Sequence, residues 1–132
     1  MRLYCRACGA ALTRDCRWGS AGEREATGAA RSTVVPAGVV VQLREEDAVP
    51  VTAAGGELLR RHVYSPPGAV SANPADVLRG QLRSCGTDNG CCGSDGMDGP
   101  NRACACGAVV ATEWSDCWTQ AEVRFLPDAV RT

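Results

Sequence analysis

Cysteine is the residue type in this sequence with the greatest capacity for chemistry, because nine thiols occur in 132 residues. They form two clusters, one near each end of the chain, with a long cysteine-free stretch between them. In chain order they are Cys5, Cys8, Cys16, Cys85, Cys91, Cys92, Cys104, Cys106 and Cys117. Thiolates bind soft and borderline metal ions, so this distribution predicts a metal centre where the two clusters meet.

The segment Cys5-Arg-Ala-Cys8-Gly is the strongest local motif. Two thiolates separated by two residues can reach one tetrahedral ion, and the following glycine takes the positive φ that closes such a turn. The segment Cys104-Ala-Cys106-Gly has the same form but is one residue shorter. Over about ten residues at each end, the chain resembles the half-sites of zinc-ribbon and CxxCG zinc-knuckle proteins. The resemblance implies a zinc ion and transfers no activity.

The two ends of the chain also resemble each other. Residues 5–18 and 104–118 each contain two close cysteines, then Gly-Ala, an apolar pair or run, and Asp-Cys with a nearby tryptophan. We therefore expect one hairpin to occur twice. The acids before the later cysteines, Asp15 and Asp116, are expected to accept backbone or arginine hydrogen bonds.

The simplest zinc centre predicted from these motifs consists of Cys5, Cys8, Cys104 and Cys106. A second four-thiolate centre could be built from Cys91, Cys92, Cys117 and either Cys16 or Cys85. The sequence leaves that choice open. A structural zinc ion contributes on the order of 10 kcal/mol to folding, which suits a chain with few aromatic residues and long irregular segments.

Other chemistry of the same cysteines is also compatible with the sequence. The odd count, and an opening segment without the apolar core of a signal peptide, argue against disulfides. Four cysteines could ligate an iron–sulfur cluster, but none of the usual ferredoxin spacings occurs. The adjacent Cys91 and Cys92 could cycle between a dithiol and a strained disulfide. Cys85 is the best candidate for a spare, free thiol.

The remaining candidate residues favour structural interpretations. His62 lies in an alternating segment, so a position on a strand face is preferred to a zinc ligand or a general base. Three acids on the glycine-rich loop do not match the spacing of an EF-hand and are expected to form turns: Asp88, Asp95 and Asp98. The tryptophans are expected to cover the zinc ion and pack the small core: Trp18, Trp114 and Trp118.

The elements that position these residues are predicted to be short. A mobile linker is expected at residues 19–33, strands at 39–43, 49–52 and 58–64, and an irregular loop at 87–101. Asn73, followed by Pro74 and Asp76, predicts the start of a helix that reaches about Arg83. The fold expected is a single α+β, mostly β domain. Its N-terminal zinc knuckle (1–18) and C-terminal cysteine-rich segment (85–132) flank a middle region (34–84) with a short sheet and one helix.

Composition and charge argue against several classes of partner and of enzyme. The hydrophobic fraction of 45% is typical of a soluble globular protein, and no apolar run is long enough to span a membrane, so no membrane partner is expected. The net charge of -1 argues against nucleic acid held through a general basic surface. All fourteen basic residues are arginine, which indicates a GC-rich genome. With one histidine, a Ser-His-Asp triad has no support.

The sequence therefore predicts a cytoplasmic zinc-binding protein, more a binding or adaptor module with a protein partner than an enzyme. Two alternatives stay open. One is a nucleic-acid-binding zinc ribbon, which requires an arginine patch such as Arg60, Arg61, Arg79 and Arg83. The other is a thiol redox or metal-handling protein that uses Cys91 or Cys92.

Overall fold

The computed structural model describes residues 1–44, 50–52, 58–60, 66–86 and 90–132, with backbone only for 50–52 and 58–60. Within these ranges the structure is mostly β, as predicted, and contains two single-turn 3-10 helices, Ala21–Glu23 and Pro74–Asp76. The strands are β1 Tyr4–Cys5, β2 Arg17–Trp18, β3 Val39–Gln42, β4 Pro50–Thr52, β5 Leu58–Arg60, β6 Val70–Ala72, β7 Leu82–Ser84, β8 Arg102–Cys104, β9 Val109–Trp114, β10 Glu122–Phe125 and β11 Val130–Arg131.

Seven of these strands form one sheet in the order β2-β3-β6-β10-β9-β8-β7. Its pairs are antiparallel except for β2 and β3, which run parallel. Two further pairs, β1 with β11 and β4 with β5, lie outside that sheet. The β1–β11 pair brings Cys5 opposite Val130, so the first strand lies against the last.

Strand β10 lies at the centre of the seven-stranded sheet, and the residues on both of its faces are buried. Val123 and Phe125 point into the main apolar cluster, which also contains Cys5 and Cys104. Because side chains alternate along a strand, Glu122 and Arg124 point to the opposite face. The sheet therefore has one apolar face, toward the N-terminal hairpin, and one face with buried charges.

The helix predicted from Asn73 to about Arg83 is wrong. Asn73 does cap a helical turn, because its side-chain oxygen accepts a hydrogen bond from the N–H of Ala75 at 2.9 Å. The turn ends at once, since Val77 is extended (φ -73, ψ 131) and bridges to Thr13. Residues beyond it form β7, which pairs with β8. Cross-strand pairing thus prevails over the local signal for a helix start.

Replacing Asn73 with alanine is expected to lower the free energy of unfolding by about 1–2 kcal/mol. The side chain is buried and satisfies two backbone groups, the N–H of Ala75 and the carbonyl of Val35 at 3.0 Å. Both would lose their partner in Asn73→Ala. Urea unfolding would measure the change. The variant Asn73→Asp keeps the acceptor but loses the donor, so its free energy of unfolding should lie between those of the native chain and Asn73→Ala. An unchanged midpoint in Asn73→Ala would contradict this assignment.

Residues 19–33 are held against the sheet, which corrects the prediction of a mobile linker. Arg24 forms an ion pair with Glu122, from Nε to Oε2 at 3.0 Å, and both side chains are buried. The amide of Gln120 donates to the carbonyl of Glu25 at 3.0 Å, and Thr33 bridges to Ala121. The Gly- and Ala-rich composition suggested a linker, but polar contacts anchor the segment.

Several predicted features lie partly or wholly outside the described residues. The strand predicted at 39–43 is confirmed as β3, whereas only residues 50–52 and 58–60 of the next two predicted strands are described. The loop predicted at 87–101 is irregular from residue 90 onward. His62 and Asp88 lie outside the description. Among the described residues, no helix combines the length and hydropathy that crossing a membrane requires.

Candidate metal centre

Each half of the candidate centre is a tight turn with the same hydrogen bonds. In the N-terminal turn, the N–H of Cys5 donates to the carbonyl of Ala10 at 2.8 Å, and the N–H of Gly9 donates to the carbonyl of Cys5 at 2.7 Å. Gly9 has φ +78, a conformation that favours glycine. This is the geometry that the CxxCG motif predicts.

The C-terminal turn repeats that pattern one residue shorter. The N–H of Cys104 donates to the carbonyl of Ala108 at 2.8 Å, and the N–H of Gly107 donates to the carbonyl of Cys104 at 2.8 Å. Gly107 has φ +98. The missing residue therefore leaves the hydrogen bonds that close the turn intact, so the similarity between the two ends extends to structure at these turns.

The two turns bring four sulfurs together from positions far apart in the chain. The Sγ atoms of Cys5, Cys8, Cys104 and Cys106 all lie within 4.8 Å of one another. The pair Cys5–Cys106 is separated by 3.8 Å and the pair Cys8–Cys104 by 3.7 Å. A tetrahedral ion about 2.3 Å from each sulfur requires edges of about 3.8 Å. The group could therefore hold one metal ion.

Burial divides this four-cysteine centre into an inner and an outer side. Cys5 and Cys104 are fully buried in the apolar cluster, whereas Cys8 and Cys106 are exposed. The inner thiols make the centre part of the core, and the outer thiols give a metal ion access from solvent. A metal bound here would thus fasten the N-terminal hairpin to the β8–β9 hairpin.

The surroundings shift the pKa values of two of these thiols in opposite directions. Burial alone would raise the pKa of Cys104, but N–H groups of the Cys106 backbone and of Gln81, with the neighbouring thiols, lower it to about 7. The amide nitrogen of Gln81 lies 3.4 Å from Cys104 Sγ. The backbone N–H of Ala10 would lower the pKa of Cys8, but burial and three neighbouring thiols raise it to about 11. Four thiolates this close need a cation to be charged together.

Three of the other predicted ligands form a separate group. The Sγ atoms of Cys91, Cys92 and Cys117 lie within 4.8 Å of one another. Neither Cys16 nor Cys85 belongs to this group, so the second four-thiolate centre considered from the sequence is not assembled by the described residues. The seven predicted ligands thus lie in two separate groups, one of four cysteines and one of three.

Asp116 is the residue around which this three-cysteine group is built. Its carboxylate accepts backbone N–H bonds from Cys92 at 2.7 Å, from Cys117 at 2.8 Å and from Cys91 at 3.1 Å. The bond from Cys92, together with the other two, outweighs burial and lowers the pKa of Asp116 to about 2. The expectation that Asp116 accepts backbone hydrogen bonds is confirmed, but its partners in a loop some 25 positions away are not visible in the sequence.

The other cysteines and the tryptophans have different surroundings. Cys16 is buried, and burial raises the pKa of its thiol.

Trp114 is also buried and packs on the guanidinium of Arg124, with 5.0 Å from the ring centre to Cζ. Trp18 and Trp118 are 46% and 47% exposed, so these two do not pack a core as predicted. All nine cysteines lie in the described part of the chain and are free thiols in this structure.

No family model, curated protein or solved structure matches the chain, so these comparisons indicate neither a family nor a function. The chemistry of the two cysteine groups is therefore the basis for a functional assignment.

Proposed function

We propose that the chain is a zinc-binding protein in which one zinc ion at the four-cysteine centre is structural. The observation that carries this proposal is that two turns bring four thiols within 4.8 Å of one another, with Cys5 and Cys106 101 positions apart in the chain. A metal-free cluster of four thiols at such distances has no evident structural purpose. With zinc bound, the same cluster joins the N-terminal hairpin to the sheet.

Zinc fits the donor set better than other common ions. Four thiolates in a tetrahedron bind zinc or iron, whereas calcium and magnesium need oxygen ligands. Zinc suits a closed site because structural zinc ions are almost always four-coordinate and tetrahedral, and four cysteines are one of their usual ligand sets. An iron–sulfur cluster would spread its four ligating cysteines over more than one iron and hold them farther apart than the 4.8 Å within which all four sulfurs lie here, although a single iron ion would fit.

The proposed role of this zinc ion is non-enzymatic. Catalytic zinc sites generally have three protein ligands and leave a fourth position for water or substrate. Here four cysteines complete the tetrahedron, and two of them are fully buried. The proposal places the protein in a reducing compartment such as the cytoplasm, where thiols stay reduced.

Elemental analysis tests the metal. Protein purified without added metal or chelator is expected to be colourless and to contain zinc, with one equivalent lost in Cys5→Ser. Cys85→Ser is the matched control, because Cys85 belongs to neither thiol group, and it should retain its zinc. A coloured protein with iron in place of zinc, or equal metal content in Cys5→Ser and the native chain, would contradict the proposal.

Replacing Gln81 with leucine is expected to weaken zinc binding by about tenfold, within the range known for groups that orient metal ligands. Its amide donates to Cys104 Sγ, and its own carbonyl accepts from Ala105 at 2.9 Å, which fixes the residue beside the centre. Competition with a zinc chelator would measure the affinity. Gln42→Leu, at an exposed position of β3, provides the control. Equal affinities in the two variants would show that the Gln81 hydrogen bond has no role.

For the partner, we propose another protein that contacts the exposed tryptophans. Trp18 and Trp118 leave nearly half of their surface in solvent, and tryptophan is enriched where proteins bind one another. Two residues of the arginine patch considered from the sequence, Arg60 and Arg61, lie outside the residues whose side chains the structure describes. Arg83 donates to the Ala105 carbonyl.

Binding of mixed-sequence DNA and RNA, followed by anisotropy at low and moderate salt, separates the two kinds of partner. We expect no binding at moderate salt. Binding that persists there would favour the nucleic-acid-binding zinc ribbon instead.

A further inference from the structure

The three-cysteine group has features that a chance cluster of thiols would lack. Cys91 and Cys92 are exposed and Cys117 is half-buried, with Cys91 Sγ and Cys92 Sγ 3.8 Å apart. We propose that Cys91, Cys92 and Cys117 form a second metal site, which binds a thiophilic cation through three sulfurs and leaves a fourth position open to solvent. This site is separate from the four-cysteine centre, and its existence does not depend on zinc being bound there.

The spacing of the three sulfurs suits a single ion. A cation bound to three thiolates in a plane, at about 2.3 Å from each, holds the sulfurs about 4.0 Å apart. The observed Cys91–Cys92 distance is 3.8 Å, and all three sulfurs fall within 4.8 Å. Thiolates select soft cations such as copper(I), along with zinc, over oxygen-seeking ions. The chemistry of the site thus restricts its ligand to thiophilic metals.

The loop that carries Cys91 and Cys92 is tightly folded because glycines flank the pair. A Cβ atom at Gly90 would lie 1.6 Å from the carbonyl oxygen of Gly93, and one at Gly93 would lie 2.8 Å from the carbonyl oxygen of Ser115. The N–H of Ser115 also donates to the carbonyl of Ser94 at 2.7 Å. Close backbone packing therefore fixes this loop on the segment that contains Cys117.

Asp116 is the positioning residue of the proposed site. It is 1% exposed. Its carboxylate accepts backbone N–H bonds from all three cysteines and also interacts with the thiol of Cys117. This arrangement fixes the backbone of each ligand relative to the other two. Groups that orient metal ligands in this way affect metal affinity strongly without touching the ion.

Two of the three cysteines border a cleft, which Cys92 and Cys117 line together with Arg31, Asp116 and Thr119. An ion with three protein ligands can accept a fourth ligand from solvent through this cleft. Such an ion exchanges more readily than one enclosed by four cysteines, because an incoming ligand can bind before a protein ligand leaves. The three-cysteine group therefore suits an exchangeable metal ion, in contrast to the structural zinc ion proposed for the four-cysteine centre.

Cadmium titration of the full chain, purified with its resident metal, tests the site. Cd²⁺ is expected to bind in one equivalent beyond the metal of the four-cysteine centre and to protect Cys91, Cys92 and Cys117 from alkylation. The double variant Cys91→Ser/Cys92→Ser should lose this equivalent and keep the other metal, whereas Cys85→Ser should lose neither. Equal Cd²⁺ binding in the double variant and the native chain, or alkylation unchanged by Cd²⁺, would overturn the proposal.

Asp116 provides a second test that does not remove a ligand. Asp116→Ala is expected to lower the affinity for the additional Cd²⁺ by about 10–100-fold, while Asp116→Asn, whose amide oxygen still accepts, should lose less. Metal content at the four-cysteine centre reports whether each variant folds. Unchanged Cd²⁺ affinity in a folded Asp116→Ala variant would remove the positioning role. A fully reduced native chain that binds no additional Cd²⁺ would refute the site itself and favour the thiol redox alternative, while leaving the zinc proposal intact.

Discussion

Removing the proposed zinc ion from the four-cysteine centre is expected to unfold the protein at neutral pH without denaturant. A structural zinc ion contributes on the order of 10 kcal/mol to folding, whereas the whole free energy of unfolding of a small protein is about 5–15 kcal/mol. The centre fastens an N-terminal hairpin whose Cys5 lies in the apolar cluster with Phe125. Circular dichroism during titration with a strong chelator would follow the loss of structure, and added zinc should restore it.

A single substitution at the centre is expected to reproduce the effect of chelation. Cys104→Ser removes a fully buried ligand and should leave a chain that is unfolded, or nearly so, at 25 °C. Cys85→Ser changes a half-buried thiol outside both groups and should shift the free energy of unfolding by less than about 1 kcal/mol. Cooperative unfolding of the chelated native protein at an unchanged midpoint would contradict a structural role for the metal.

The four-cysteine centre could be predicted from sequence because its geometry is local on each side. The spacing of Cys5 and Cys8, with Gly9 after them, determines a turn that needs no distant contact to form. The shorter C-terminal turn could be paired with it because Cys104-Ala-Cys106-Gly has the same form, with one residue fewer between its cysteines. The local motifs were thus enough to predict that two turns far apart in the sequence lie close together in the fold.

Features that depend on tertiary contacts could not be predicted in this way. The signal for a helix at Asn73 was correct for one turn, but the pairing of β7 with β8 determines the conformation beyond it. The role of Asp116 depends on a loop folding back onto it, which no spacing indicates. Trp18 was expected in a core, yet it lies at the edge of the sheet, on β2.

The buried charges of the sheet are the largest feature that the sequence did not indicate. Glu122, Arg124 and Arg24 look like ordinary surface residues in the sequence, but their side chains are 2%, 1% and 8% exposed. Glu122 accepts from Arg124 Nε at 2.8 Å, from Arg24 Nε at 3.0 Å and from the hydroxyl of Ser71. One carboxylate therefore links β10, β6 and the segment that was predicted to be a linker.

Glu122→Gln is expected to lower the free energy of unfolding by about 3–5 kcal/mol, because it leaves two buried guanidinium groups without the carboxylate charge that faces them. Glu23→Gln is the matched control. Glu23 pairs with Arg17 at the surface, where both side chains are partly exposed, and a glutamine there can still accept the backbone hydrogen bond from Ser20. The control should lose less than about 1 kcal/mol. Equal urea midpoints for the two variants would show that the buried ion pairs contribute no more than the exposed one.

The pH dependence of this difference follows from the pKa of Glu122. Burial alone would raise that pKa, but the charges of Arg124 and Arg24, with hydrogen bonds from Arg24 and Ser71, lower it below its ordinary value. The folded state therefore binds the proton more weakly than the unfolded state, so the carboxylate stabilises the fold above the ordinary glutamate pKa. This contribution decreases as pH falls through that value and is lost below the folded pKa. The stability gap between the native chain and Glu122→Gln should be constant near neutral pH and narrow in acid, measured where both proteins retain their metal. A gap that widens in acid would reverse the assigned sign.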